Sequence, residues 1–80
     1  MAGQPTCKTL SDGTKQWWLH GRRHRVDGPA IEWADGGKQW YVYGELHRTY
    51  GPAIEWDDGS KTWYVHGEPL TEAEHAQRTA

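Results

Sequence analysis

Residues 24–46, HRVDGPAIEWADGGKQWYVYGEL, are followed at once by residues 47–69, HRTYGPAIEWDDGSKTWYVHGEP, and 16 of the 23 positions are identical. A fixed period of this length is the signature of a repeat architecture, in which each unit buries its apolar face only against its neighbours. Shifting the chain back by one period finds a partial third copy, TLSDGTKQWWLHGRR, in which Asp12, Gly13, Lys15, Trp17 and Gly21 fall on Asp35, Gly36, Lys38, Trp40 and Gly44. The expected organisation is a single domain spanning residues 1–80. Its units are 6–23 (partial), 24–46 and 47–69, and residues 70–80 form a C-terminal tail or helix.

Within a unit the apolar period is two. PAIEW places Ile31 and Trp33 on one face and Ala30 and Glu32 on the other, as a pleated strand does. KQWYVY alternates Trp40 and Val42 against Tyr41 and Tyr43. Between them lies ADGG, replaced by DDGS and SDGT in the other copies, and Asp-Gly is a hairpin signal because glycine tolerates positive φ. After the second strand YGEL, HGRR and HGEP supply a second glycine turn. The reading is all-β: an antiparallel meander of stacked β-hairpins. The last residues differ, because Thr71 stands three before Glu74 as in a capping box and Ala, Glu and Gln favour helix. A short helix is predicted over about Glu72 to Gln77, covering the final edge strand.

Chain size and charge narrow the function classes. Eighty residues make one small domain whose apolar area rests on six Trp and four Tyr, with no Phe. A net charge of −2 gives no global field for nonspecific nucleic-acid binding. The N-terminal stretch has no apolar run of a signal peptide and no segment reaches membrane-spanning length. The lone Cys7 suits a reducing compartment. The expected location is the cytoplasm, that of the host if the source is viral.

The H-R-x-x-G-P-A-x-x-x-x-D-G-x-x-x-W-Y-x-x-G pattern over roughly residues 7–69 resembles divergent MORN-type repeats, of the kind common in bacteriophages and large DNA viruses. The resemblance implies a binding or scaffolding surface. Pro29, Pro52 and the additional tryptophans depart from the ordinary MORN pattern and speak against lipid as the ligand. Small viral proteins that sequester nucleotide immune signals offer an analogy of size and source.

Catalysis finds little support in the pattern. Equivalent residues of adjacent units should lie about 10 Å apart, twice the strand spacing of about 4.8 Å. Zinc ligands all sit about 2 Å from one ion, so His24 and His47, or His20 and His66, cannot share a metal. Only His20 and His24 could approach across the GRR turn. Glu32 and Glu55 are likewise too far apart for a retaining glycosidase pair. No nucleophile, base and orienting group converge. The chain is expected to be no enzyme, with no cofactor and no metal site.

The aromatic residues form two columns. Trp17, Trp40 and Trp63, joined by Leu19, Val42, Val65, Leu10, Trp33, Trp56, Ile31 and Ile54, make an apolar stripe expected to be the core. Trp18, Tyr41 and Tyr64 point to the opposite face beside His20, Tyr43 and His66. A single sheet layer in so short a chain leaves one face for a ligand or a partner. Stacking one base on an aromatic ring is worth about 1–3 kcal/mol, and guanidinium groups bind phosphate oxygens bidentately. The candidate ligand-binding set is therefore Trp18, His20, Arg22, Arg23, Arg25, Tyr41, Tyr43, Arg48, Tyr64 and His66. The favoured function is stoichiometric sequestration of a small anionic, nucleotide-type signal in viral counter-defence. The alternative is a protein–protein interaction module or inhibitor using the same rings as a hot spot. With fewer than three units and a bare strand near Thr6 to Leu10, the chain is expected to associate with itself, as a dimer.

Overall fold

The computed structural model describes residues 4–79. The two turns of each unit fix its shape, and each uses its glycine differently. The Asp-Gly turn is a three-residue loop: the Gly36 N–H bonds to Trp33 O, the Trp33 N–H bonds to Gly37 O, and Gly36 takes φ of 102°. Asp35 Oδ1 accepts the Gly37 N–H at 2.9 Å, so the aspartate closes its own turn. Asp12 with Thr14 and Asp58 with Ser60 repeat the arrangement. The second turn is a two-residue hairpin in which both central residues have positive φ: His20–Gly21, Tyr43–Gly44 and His66–Gly67. That geometry matches the twist of the flanking strands.

Between these turns run ten short strands: β1 (Thr6–Thr9), β2 (Lys15–Leu19), β3 (Arg22–Arg23), β4 (Ile31–Glu32), β5 (Lys38–Gln39), β6 (Tyr41–Val42), β7 (Glu45–Leu46), β8 (Ile54–Glu55), β9 (Lys61–Val65) and β10 (Glu68–Leu70). Helix α1 (Glu72–Arg78) follows. The main sheet has the order β1-β2-β4-β5-β8-β9-β10 with β3 paired to β2, and β6–β7 form a separate hairpin. All pairs are antiparallel. The protein is all-β with one short C-terminal helix, as the period-two pattern implies. The middle unit departs from expectation in one respect: its second strand is interrupted at Trp40, which separates β5 from β6.

Register explains how the sheet is held. Lys15, Glu32, Lys38, Glu55 and Lys61 lie directly opposite one another across successive strands. Charge alternates along this row, and its Glu32 and Glu55 carboxylates form their ion pairs with Arg25 and Arg48. The neighbouring row runs Gln16, Ile31, Gln39, Ile54, Thr62.

The core corrects the expected stripe. Ala30 and Ile31 are 0% and 1% exposed, so both faces of this strand are covered. The loop after His24 folds back over it: Arg25 N–H reaches Tyr41 O while its guanidinium bonds to Pro29 O and Glu32. Ala53, Ile54, Leu19 and Val65 complete the buried apolar set. Trp33 and Trp56, counted among core residues from their parity with Ile31 and Ile54, are instead 42% and 50% exposed. They sit past the ends of the two-residue strands β4 and β8, beyond the reach of the overlying loop.

Helix α1 begins as its capping box predicts, with Thr71 Oγ1 accepting from Glu74 N–H and Glu74 Oε1 accepting from Thr71 N–H. It runs one residue beyond the predicted end and packs on β9 and β10. Its one buried side chain, His75, donates from Nε2 to the carbonyl of Arg48. Thr71 occupies the place where a further unit would carry Arg25 or Arg48, so the helix starts where the repeat stops.

Candidate functional site

Each arginine of the H-R pair lies flat on a tryptophan of the preceding unit. Arg25 Cζ is 3.9 Å from the Trp17 ring centroid and Arg48 Cζ is 3.8 Å from that of Trp40. Nη1 of each then bonds inside its own unit, Arg25 to Pro29 O and Glu32, Arg48 to Pro52 O and Glu55, at 3.1–3.2 Å. The conserved-looking spacing within the repeat is thus a set of contacts. The glycine of the G-P-A step admits the guanidinium, since a Cβ at Gly28 would lie 2.9 Å from Arg25 Cζ. The histidine accepts a backbone N–H nineteen residues on, His24 Nδ1 from Tyr43 and His47 Nδ1 from His66. Their rings stack on the acceptors' partners at 4.2 and 4.3 Å.

The two guanidiniums bracket a groove of about 550 Å³ between consecutive units, lined also by Trp40, His47, Val26 and Tyr50. Its rim is apolar and exposed: Val26 is 78% and Tyr50 93% accessible. The two arginines are not equivalent. Arg25 Nε bonds to Asp27 Oδ1 at 3.2 Å, but the second copy has Tyr50 in place of that aspartate. Among the described residues, Arg48 therefore makes one carboxylate contact where Arg25 makes two. Among the described residues its Nε has no carboxylate partner of the kind Asp27 gives Arg25. His47 is held below the ordinary imidazole range, first by burial and next by the neighbouring His66. Its Nδ1 accepts a backbone N–H, so the ring proton sits on Nε2.

The ten residues singled out from sequence are not gathered into one site. Arg25 and Arg48 enter the groove just described. Trp18, Arg23 and Tyr41 form a separate stack: Arg23 Cζ stands 5.1 Å from Trp18 and 5.7 Å from Tyr41. The slot expected to receive a base there is filled by the chain's own guanidinium. Arg23 Nε is buried without a hydrogen-bond partner among the described residues. Tyr64 is half-buried opposite Pro69, and Arg22 lies exposed along Gly44. His20, Tyr43 and His66 occupy the left-handed turn positions. His20 does not meet His24, which stacks on Tyr43 instead.

Trp40, His47, Tyr50 and Val26 were not chosen from sequence. The signal for Trp40 is an offset of eight, Trp17 to Arg25 and Trp40 to Arg48, visible only once the arginine's return over the preceding unit is known. Tyr50 and Val26 mark positions where the copies disagree. Among the described residues no group of three or more His, Cys, Asp or Glu is placed to hold a metal ion, and no helix is long and apolar enough to cross a membrane. Compared with known proteins, the chain matches no family model, no curated protein and no solved structure.

Proposed function

We propose that this chain is a non-enzymatic binding protein of MORN-like build that captures a small anionic, ring-bearing ligand of nucleotide type between its repeat units. The observation that carries the reading is the groove in which Arg25 and Arg48 face one cleft with Trp40 and the exposed Tyr50. Its volume lies within the roughly 300–1,000 Å³ usual for small-molecule sites. Tyr50 offers a ring for stacking, and the Arg48 edge left without an aspartate offers parallel N–H donors to a phosphate. The site moves away from the Trp18–Tyr41 column because Arg23 already fills that stack. Function by sequestration means that the ligand leaves as it entered.

Tryptophan fluorescence, titrated with mono-, di- and cyclic nucleotides, tests this. Saturable quenching is expected with at least one nucleotide, together with its recovery unchanged by mass spectrometry. Tyr50→Ala, at a position with no structural contact to lose, should weaken that binding about tenfold, in line with the loss of one stacked base. A flat titration across the panel removes the proposal. A protein partner is the second reading, favoured by the exposure of Val26, Trp33, Tyr50 and Trp56 on the surface of one small chain.

A further inference from the structure

Three of the six tryptophans carry a guanidinium on the ring, Trp17 under Arg25, Trp18 beside Arg23 and Trp40 under Arg48. Trp33 and Trp56 carry none among the described residues, and they are the two half-exposed ones. Both indoles are held in place by their polar edges: Trp33 Nε1 donates to Gln39 Oε1 at 3.1 Å and Trp56 Nε1 to Thr62 Oγ1 at 3.4 Å. With the N–H groups satisfied, what each ring offers a visitor is its π face, whose charge is negative.

Trp33 and Trp56 line a single slot of about 150 Å³ together with Ile54 and Gly37. They follow β4 and β8, which are separated by β5 alone, so they stand about two strand spacings apart, or roughly 10 Å. That spacing leaves room for one side-chain head group between them, in contact with one indole at a time. There is no spare room at Gly37: a Cβ there would meet Trp33, the Glu55 carbonyl and Asp35 at 3.3–3.4 Å. The volume falls below that of ordinary small-molecule sites and suits one long side chain.

The charge of the slot is one-sided. Asp35 and Asp57 line it, and no lysine or arginine does. Glu55 also borders it, but its carboxylate is turned to Arg48. Asp57 stands where the preceding copy has Ala34, so the carboxylate is an addition of the second unit and not a requirement of the repeat. Two indoles and two carboxylates line the same slot, and both kinds of group suit a cation. We propose that the Trp33–Trp56 slot receives an arginine side chain from a basic segment of a partner protein, stacked on an indole and paired with Asp35 and Asp57. A planar guanidinium stacks on an indole face more readily than an ammonium does. This surface is separate from the groove of Arg25 and Arg48, and either can stand without the other.

The test uses an acetylated tetra-arginine amide and its tetra-citrulline counterpart, which keeps the shape and removes the charge. Indole N–H resonances, assigned with single Trp→Phe variants, report where the peptide sits. The arginine peptide is expected to shift the Trp33 and Trp56 signals saturably, and the citrulline peptide to leave them in place. Asp57→Ala, a residue the fold accepts at position 34, should weaken binding at least fivefold while leaving the other indole signals unmoved. Shifts of equal size with citrulline, shifts that spare these two indoles, binding indifferent to Asp57→Ala, or silence at millimolar peptide each overturn the proposal.

Discussion

The smallest unit of meaning in this protein is the residue whose side chain bonds outside its own strand. His47 illustrates it. Its ring accepts the His66 N–H and must stay neutral at Nδ1 to do so. Burial comes first and the adjacent His66 second in lowering its proton affinity, with His75 adding and Glu45 opposing. A group whose folded pKa is lowered supports the fold above its ordinary value of 6.5 and withdraws that support as pH falls through the folded value. Thermal midpoints should therefore decline as pH drops below about 6.5. His47→Asn, which keeps an acceptor and cannot titrate, should flatten that slope; an unchanged slope in the variant would assign the effect elsewhere. His20 makes the second residue-scale prediction. It holds φ of 52° at the first position of a two-residue hairpin and lacks the ring partner that Tyr43 and His66 have. Asparagine prefers that conformation. His20→Asn is expected to raise stability by about 0.5–1 kcal/mol in urea denaturation, and a loss would mean that His20 has a contact of its own.

At the scale of the element, sequence legibility varies with strand length. Turns were readable because Asp-Gly and X-Gly impose backbone shapes whatever surrounds them. The helix was readable because Thr71 and Glu74 form its cap locally. Side-chain faces were not equally readable. Parity holds along a strand, but β4 and β8 are two residues long, so alternation counted from Ile31 says little about Trp33. The arginine loop was invisible for a different reason: it joins Arg25 to Trp17 and to Glu32, contacts that no periodicity encodes. It is also the element that answers best to mutation. Arg25→Lys keeps the charge but gives up the planar stack and the fork that reaches Asp27, Pro29 and Glu32 together. A loss of about 1–2 kcal/mol is expected, measurable as a lower denaturation midpoint, and wild-type stability in the lysine variant would mean that charge alone matters. For helix α1, Thr71→Ala removes a cap and should cost about 1 kcal/mol of helix docking, read as faster amide exchange across residues 72–78. Unaltered exchange there would show the helix to be held by His75 alone.

Taken whole, the molecule is a plate, 36 by 36 by 16 Å. Thinness goes with the exposure of Trp33, Tyr43, Tyr50, Trp56 and Val26, which nothing among the described residues covers fully. Fewer than three units also limit how much each neighbour stabilises the next. Self-association would lower both burdens, and the expectation of a dimer carries a measurable corollary: the thermal midpoint should rise with protein concentration. A concentration-independent midpoint, with a light-scattering mass of one chain, would refute it.

The two ends of the plate are unlike. Helix α1 lies against β9 and β10 at one end, whereas all four residues of β1 are exposed at the other. A stack with both borders bare could lengthen without limit into a fibre. Helix α1 crowds that second border without burying it, since Glu68 and Pro69 of β10 stay exposed, and β1 is the more open of the two to strand addition. Pairing of β1 with β1 of a second copy would use up that border in both chains, so association by this route would stop at two.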